Sequence, residues 1–266
     1  YISGRTNIKI SAQDEKGRVV WTGISINSTT EYDNYNAPVQ ISGKDGYYTI
    51  RAKARDFVGN KSQPVSAVYY KDATPPSTAI DYVGKQFFNR DTLFIHPDTQ
   101  VKLIPHDEAS GVKTTQYQIG SGDKKAYAGP VSLPGEGLHT ITFTSSDKVN
   151  NTETPKKAQV YVDATPPAIQ AYFNVKPFKH ETHQGENLQV YPTYTKLYLG
   201  ATDNKAGTHS ILYSINDSPL QDFSGPNSIA KSYLLRKEAI YTVRIVAKDL
   251  LDNTAEKEIT FVVRKK

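Results

Sequence analysis

The sequence contains no cysteine and no methionine, and it has a single tryptophan. Without cysteine there is no disulfide framework, no zinc ribbon and no thiol nucleophile. That excludes a small disulfide-stapled scaffold but says little about compartment for larger modules, which bury an adequate core without staples. No apolar run approaches the roughly 18 residues that cross a membrane. Nothing at the amino end looks like a charged, apolar targeting segment. The chain opens on Tyr1, which reads as a mature or excised piece whose signal or anchor lies outside it. A Gly-rich phosphate loop, a Gly-x-Ser-x-Gly elbow and a His-Glu-x-x-His helix are all missing. With no acid/base dyad to single out, the expectation is a chain that connects and binds rather than catalyses.

Tyrosine is plentiful, at 18 residues, while long alanine- or leucine-rich amphipathic stretches are absent. Aromatic and β-branched side chains pack well on a pleated surface, so this is strand chemistry. The net charge of +5 comes from 32 basic and 27 acidic residues dispersed along the chain. A nucleic-acid surface would cluster its basic residues among exposed aromatics, so no nucleic-acid partner is expected.

One ladder of features recurs three times. Thr6 leads to Asp14, Thr99 to Asp107 and Thr195 to Asp203, always across eight positions. Twelve residues after each aspartate stands an isoleucine: Ile26, Ile119 and Ile215. An aromatic and a proline three apart follow, as Tyr35 and Pro38, Tyr127 and Pro130, Phe223 and Pro226. A strand-like block then closes on Asp and Asn four apart: Asp56 and Asn60, Asp147 and Asn151, Asp249 and Asn253. Near the start of that block, Tyr48 and Tyr241 suit a tyrosine corner, with His139 standing in for the middle copy; simple half-buried packing is the other reading.

Two matching seams join the copies, Asp72-Ala-Thr-Pro75-Pro76 and Asp163-Ala-Thr-Pro166-Pro167. Paired prolines fix φ, remove donors and extend the residue before them, which makes a stiff connection without a helix. The period of about 91 to 102 residues is that of an immunoglobulin-type sandwich. The fold class expected is therefore all-β: three tandem immunoglobulin/fibronectin-III-like β-sandwich modules at 1–72, 73–163 and 164–266. The first module starts at the approach to its second strand, so its own first strand is lacking or is supplied by something else. The third carries an insertion or extra hairpin near 171–192, including His180-Glu-Thr-His183, a pair that reads as an exposed loop sooner than as metal ligands.

The Asp163-Ala-Thr-Pro-Pro seam, Asp107-Glu-Ala-Ser-Gly through Ile119, and Tyr127-Ala-Gly-Pro through Asp147 together resemble the bacterial immunoglobulin-like repeat of large surface and envelope proteins, including spirochaete outer-membrane adhesin-like proteins. The resemblance implies tandem arrays, an extracytoplasmic place at the cell surface, outer membrane, periplasm or outside the cell, and adhesive or scaffolding work. It does not imply a ligand, because one fold hosts many functions.

In a seven-strand sandwich the second and sixth strands run the same way, so their trailing loops share a pole with the module's own start. That gathers Asp72, Asp107, Asp147 and Asn151 at the first seam, and Asp163, Asp203, Asp249 and Asn253 at the second. Hard oxygen ligands grouped in this way suit Ca²⁺. The plainer reading is that each aspartate caps its own turn. Lys156-Lys157, Lys176/Lys179 and Arg264-Lys-Lys266 either solubilise the surface and guard strand edges or attract acidic glycans or an anionic membrane face. Tyr32, Tyr35, Tyr191 and Tyr194 offer aromatic surface for carbohydrate or protein, or else partly buried packing. The functional expectation is an elongated adhesive or scaffolding segment that binds a protein or glycan partner. The alternatives are a spacer or accessory region of a larger secreted enzyme, and a subunit of an envelope machine whose first module is completed by a partner strand.

Overall fold

The computed structural model describes residues 1–223 and 232–266, so Pro226 lies outside the described residues. Every regular element among the described residues is a strand, and no helix is long and apolar enough to cross a membrane. The chain is three tandem β-sandwich modules. The first contributes β1 (Ile2–Ser3), β2 (Asn7–Ile8), β3 (Val19–Ile26), β4 (Asp33–Asn34), β5 (Val39–Gln40), β6 (Gly46–Asp56) and β7 (Val65–Asp72). The second contributes β8 (Ser77–Val83), β9 (Gln86–Asn89), β10 (Thr92–Ile95), β11 (Gln100–His106), β12 (Val112–Ile119), β13 (Lys125–Ala126), β14 (Val131–Ser132), β15 (Gly137–Asp147) and β16 (Lys156–Val162). The third contributes β17 (Ala168–Phe173), β18 (Lys179–His183), β19 (Glu186–Pro192), β20 (Lys196–Thr202), β21 (Thr208–Ile215), β22 (Gln221–Asp222), β23 (Ser232–Leu234), β24 (Ala239–Asp249) and β25 (Thr254–Arg264).

By packing, the chain divides into two compact units: Tyr1–Ile80, Leu103–Gly129 and Ile141–Lys157 in one, and Asp81–Lys102, Pro130–Thr140 and Ala158–Lys266 in the other. The first unit holds the sheet β1-β7-β6-β3-β4 and the pair β2-β5. Its core gathers Ile24, Ile41 and Ile50 under Ile8, Ile10, Tyr35 and Tyr69. The second unit holds the sheets β18-β19-β25-β24-β21-β22 and β17-β20-β23, closed on Leu197, Val243, Ile245, Phe261 and Val263. The middle module's sheets are β13-β12-β15-β16-β10-β9 and β14-β11-β8.

Alternation explains the burial. Ile50 and Ala52 on β6, Ile141 and Phe143 on β15, and Val243 and Ile245 on β24 are two apart, hence on one face, and all are buried. The aromatic that precedes the proline works as a peg. Tyr35 Oη accepts the amide of Ile10 at 3.0 Å, and Tyr127 Oη accepts the amide of Leu103 at 3.0 Å. Each thus ties a loop to the strand across the sandwich.

The corner aromatics behave alike in all three modules. Tyr48 donates its hydroxyl to the carbonyl of Lys44 at 2.7 Å, and Tyr241 donates to Lys237 at 3.0 Å. His139 Nε2 lies 3.1 Å from the carbonyl of Gly135, four residues back in each case. This is the tyrosine-corner arrangement, with imidazole in the phenol's place. Tyr241→Phe keeps the packing and loses one hydrogen bond, so denaturant unfolding should show a loss of about 1 kcal/mol.

The hairpin β18–β19 occupies the region read as an insertion, and the middle module carries a shorter hairpin, β9–β10, at the same place. His180 and His183 belong to strand β18 rather than to a loop, paired with Gln189 and Glu186. Three apart on a strand they face opposite sides, so they cannot hold one ion together. The first module differs in another way. Its small sheet is the two-stranded β2-β5, where the others have the three-stranded β14-β11-β8 and β17-β20-β23.

Candidate functional site

Each Asp-x-x-x-Asn turn folds for a local reason. Asp147 Oδ1 accepts the amides of Val149 at 2.9 Å and Asn151 at 2.8 Å. Asn151 Nδ2 donates to Asp147 Oδ2 at 2.7 Å. Asp249 repeats the pattern with Leu251, Asn253 and the Asn253 amide group at 2.8, 2.8 and 2.7 Å. The residue before each asparagine is left-handed, Asn150 at φ 65° and Asp252 at φ 71°, a conformation that short polar side chains tolerate.

The facing loop is as regular. Asp107 Oδ1 accepts the amides of Ala109 at 3.2 Å and Gly111 at 2.6 Å. Asp203 Oδ1 accepts those of Lys205 at 2.9 Å and Gly207 at 2.7 Å. Gly111 and Gly207 hold φ of +83° and +86°, which favours glycine at that offset. A register shift between Val112 and Thr114, repeated between Thr208 and Ser210, turns this loop across the end of the long strand.

The seam aspartates join the two turns. Asp72 Oδ1 accepts the amide of Thr74 at 3.2 Å, and its Oδ2 accepts that of Ser110 at 3.0 Å. Its carbonyl takes Asn151 Nδ2 at 3.0 Å. Asp163 does the same with Thr165 at 3.1 Å, Ala206 at 3.0 Å and Asn253 at 2.9 Å. Asp72, Asp107, Asp147 and Asn151 therefore meet in the first unit, and Asp163, Asp203, Asp249 and Asn253 in the second. Within each trio of aspartates, one carboxylate oxygen from each residue lies within 4.8 Å of the others. Asp72, Asp147, Asp163 and Asp249 are 0% exposed.

The two readings of these aspartates are not exclusive, for the same carboxylates cap their turns and face one another. At an effective dielectric near 20, two charges at such a distance repel by about 3 kcal/mol. Among the described residues, no lysine, arginine or histidine forms an ion pair with any of the six aspartates. Burial, and then the charges of Asp203 and Asp249, hold the Asp163 carboxyl above its ordinary range against the amides that favour ionisation.

A second acid at each seam stands 27 positions before the seam aspartate, Asp45 before Asp72 and Glu136 before Asp163. Asp45 accepts the Ala73 amide at 2.8 Å and the Thr74 hydroxyl at 2.6 Å. Glu136 accepts the Thr165 hydroxyl at 2.8 Å and pairs with Lys205. Lys205 first, then Thr165, holds Glu136 below the usual carboxylate range. Each Asp-Asn turn also carries cations: Arg5 donates to the carbonyl of Asn150 at 2.7 Å and Lys113 to its Oδ1 at 2.9 Å, and Lys85 pairs with Asp252 at 2.9 Å. A cleft of about 410 Å³ lined by Asp45, Asp72, Thr74, Asp107 and Glu108 opens at the first seam.

The remaining candidates are spread out. Lys156 pairs with Glu153 at 3.3 Å, and Lys179 and Arg264 both pair with Glu181, at 2.8 and 3.1 Å. Tyr191 is 4% exposed and belongs to the core, whereas Tyr194 is 57% exposed.

No family model and no curated protein matches the chain. Among solved structures, the chain is similar to a bacterial ice-binding adhesin involved in host cell surface retention, at 12% identity over 96% of this chain and 89% of the other, with a TM-score of 0.41. It is also similar to fibronectin(III)-like modules of Clostridium thermocellum CbhA, at 9% identity over 71% and 95% with a TM-score of 0.35. A tetra-tandem repeat from the extending region of a large adhesion protein is a third, at 16% identity over 94% and 68% with a TM-score of 0.34. Likeness at this level carries no argument about function, and the assignment of sandwich modules rests on the strand order.

Proposed function

We propose that the chain is a non-catalytic adhesive or scaffolding segment of a bacterial surface or envelope protein, and that each of its two junctions binds a Ca²⁺. The observation that supports this reading is one buried three-carboxylate arrangement built twice. This polar apparatus sits where one module passes into the next. A hard divalent ion takes six to eight oxygens in flexible geometry. Asp72, Asp107 and Asp147 would hold one ion, and Asp163, Asp203 and Asp249 the other. At the first junction the buried Ser110 hydroxyl has no hydrogen-bond partner among the described residues, and its amide already contacts Asp72, so a further oxygen is at hand. The ion would neutralise the crowded carboxylates and fix each seam.

The sign of the pH effect follows from Asp163. Its carboxyl is raised in the folded chain, chiefly by burial. The stability tied to its proton is present at low pH and is lost as pH rises through the raised value. Ca²⁺ replaces that proton, so calcium should stabilise most at neutral pH and least in acid. Thermal melts at pH 7 in calcium and in EDTA test the reading. An ion at a hundredfold its dissociation constant adds about 2.7 kcal/mol, a rise of roughly 5–10 °C for a chain of this size. Coincident melts would overturn the calcium assignment. The adhesive role is tested separately, by titrating the immobilised chain with purified matrix proteins and glycans; saturable binding to one of them is expected, and no binding to any would count against it.

A further inference from the structure

The first module shows the same junction with one side open. Asp14 Oδ1 accepts the amides of Lys16 at 2.9 Å and Gly17 at 3.1 Å. Asp56 Oδ1 accepts the Asn60 amide at 2.7 Å, and Asn60 Nδ2 donates to Asp56 Oδ2 at 2.7 Å. The Phe57 amide reaches the carbonyl of Arg18 as Lys148 reaches Gly111 and Leu250 reaches Gly207. Gly17 thus stands where Ser110 and Ala206 stand, whose amides receive the seam aspartate in the other two modules; here the Gly17 amide turns back to Asp14 instead. At this pole Phe57 and Val58 are each 78% exposed, whereas Leu251, the counterpart of Val58, is 0% exposed. A groove of about 870 Å³ lined by Asp14, Gly17, Asp56, Phe57, Val58 and Asn60 marks the place.

A second opening lies along the same module. In the third module β17 pairs antiparallel with β20, from Ala168↔Thr202 to Phe173↔Leu197. By the common threonine-to-aspartate offset, the first module's equivalents of Leu197 to Thr202 are Ile8 to Gln13. No strand pairs with Lys9–Gln13 among the described residues. Beside them runs a groove of about 320 Å³ lined by Ile8, Ile10, Ile50, Ala52, Val65 and Tyr69. Val65 is 69% exposed, and its counterpart Lys156 bonds to Ser77 and Thr78 of the middle module's first strand.

In the other two modules a single segment fills both places, since the seam aspartate and the first strand are joined through Ala-Thr-Pro-Pro. We propose that the first module receives an extended segment of that kind from another module of the same type: an aspartate, then Thr-Pro-Pro, then a strand. Its aspartate would sit on Gly17 and Asn60. Its strand would run antiparallel to Ile8–Gln13, with apolar residues opposite Ile8, Ile10 and Ala12, as Phe173, Ala171 and Ile169 lie opposite Leu197, Leu199 and Ala201. The Ile10 amide is taken by Tyr35 on one side, so by strand alternation the amides of Lys9 and Ser11 face the incoming segment. This inference rests on the junction geometry alone, without an ion or an adhesive role.

The test uses the full chain and a synthetic peptide of residues 163–173, with NMR as the readout. Saturable one-to-one binding is expected, with slowed exchange at the Lys9 and Ser11 amides. Asn60→Ala in the chain, or alanine for aspartate in the peptide, should weaken binding about tenfold or more. Asn60 is exposed, so its loss does not threaten the fold. Absence of saturable binding at millimolar peptide, equal binding of a scrambled peptide, or affinity unchanged by Asn60→Ala would overturn the proposal.

Discussion

Asp147→Ala should lower unfolding stability by about 3 kcal/mol or more, whereas Asp56→Ala, the same turn in the first module, should cost far less. The local bonding is nearly identical: Asp147 accepts the amides of Val149 and Asn151 and the Asn151 side chain, and Asp56 accepts the amide and side chain of Asn60. What differs is water. Asp147 is 0% exposed and Asn151 4%, while the Asp56 turn is open to solvent. A buried donor left without a partner costs about 1–3 kcal/mol, but at the surface water replaces the lost acceptor. Asn151 would also lose the partner that aims its amide at the Asp72 carbonyl. Relief of repulsion from Asp72 and Asp107 works the other way, so Asp147→Asn separates the terms: it keeps an acceptor and sheds the charge. Chemical denaturation of the three variants in EDTA checks the order. Equal losses for Asp147→Ala and Asp56→Ala would mean that the turn, and not its burial in the junction, carries the stability.

Much of this arrangement is legible in the sequence, because it is built from short-range offsets. Asp147 and Asn151 are four apart, and that spacing is itself the turn. Asp107 and Gly111 are four apart for the same reason, with Gly111 taking the left-handed position. Convergence of Asp72 with these two loops follows from strand direction alone. Asp45 and Glu136 are not legible in this way. Each clamps the threonine of its seam from 29 positions away, a distance set by the length of the intervening strands and by no periodicity. Their marks are an acid just before the glycine that starts β6 or β15 and the same spacing to the seam in both copies, neither of which points to a turn. His180 and His183 mislead for the opposite reason: a polar, charged run suits a loop and equally an exposed edge strand, and only the pairing of β18 with β19 decides. That no strand of the described residues pairs with Lys9–Gln13 is foreseeable by comparison of copies. The grooves this leaves are not, since they depend on what Ile10, Val65 and Asn60 fail to touch.

Glu153 is the residue whose role the sequence hides most completely, and it carries the second large effect. A lone glutamate between threonines reads as solvated surface, yet Glu153 is 6% exposed. Its Oε1 accepts the Ser145 amide at 2.9 Å and the Thr78 hydroxyl, and its Oε2 accepts the Thr78 amide at 3.0 Å. Ser145 Oγ lies 2.7 Å from Thr78 Oγ1 and 2.8 Å from Thr115 Oγ1. The third module solves the same position without polar side chains, with Ile169, Ile211, Ala247 and Ala255 as the counterparts. There β25 starts at Thr254 and pairs through Ala247↔Ala255, whereas β16 starts only at Lys156. The glutamate side chain thus satisfies backbone amides at the end of a ladder that stops short. Glu153→Ala alone strands those donors in a closed site and should cost about 3–5 kcal/mol, as removal of one partner from a buried charged network does. Replacing Thr78, Thr115, Ser145 and Glu153 together by the third module's residues removes the side-chain polar groups at once and should recover stability to within about 1 kcal/mol of the natural chain. The Glu153 amide already donates to the Ser145 carbonyl at 3.1 Å, so recovery requires the return bond from the amide of residue 145, which hydrogen exchange at that position would show directly. If the fourfold variant is as unstable as Glu153→Ala, the amide of residue 145 cannot reach the opposite carbonyl in this module, and the glutamate side chain is what satisfies it.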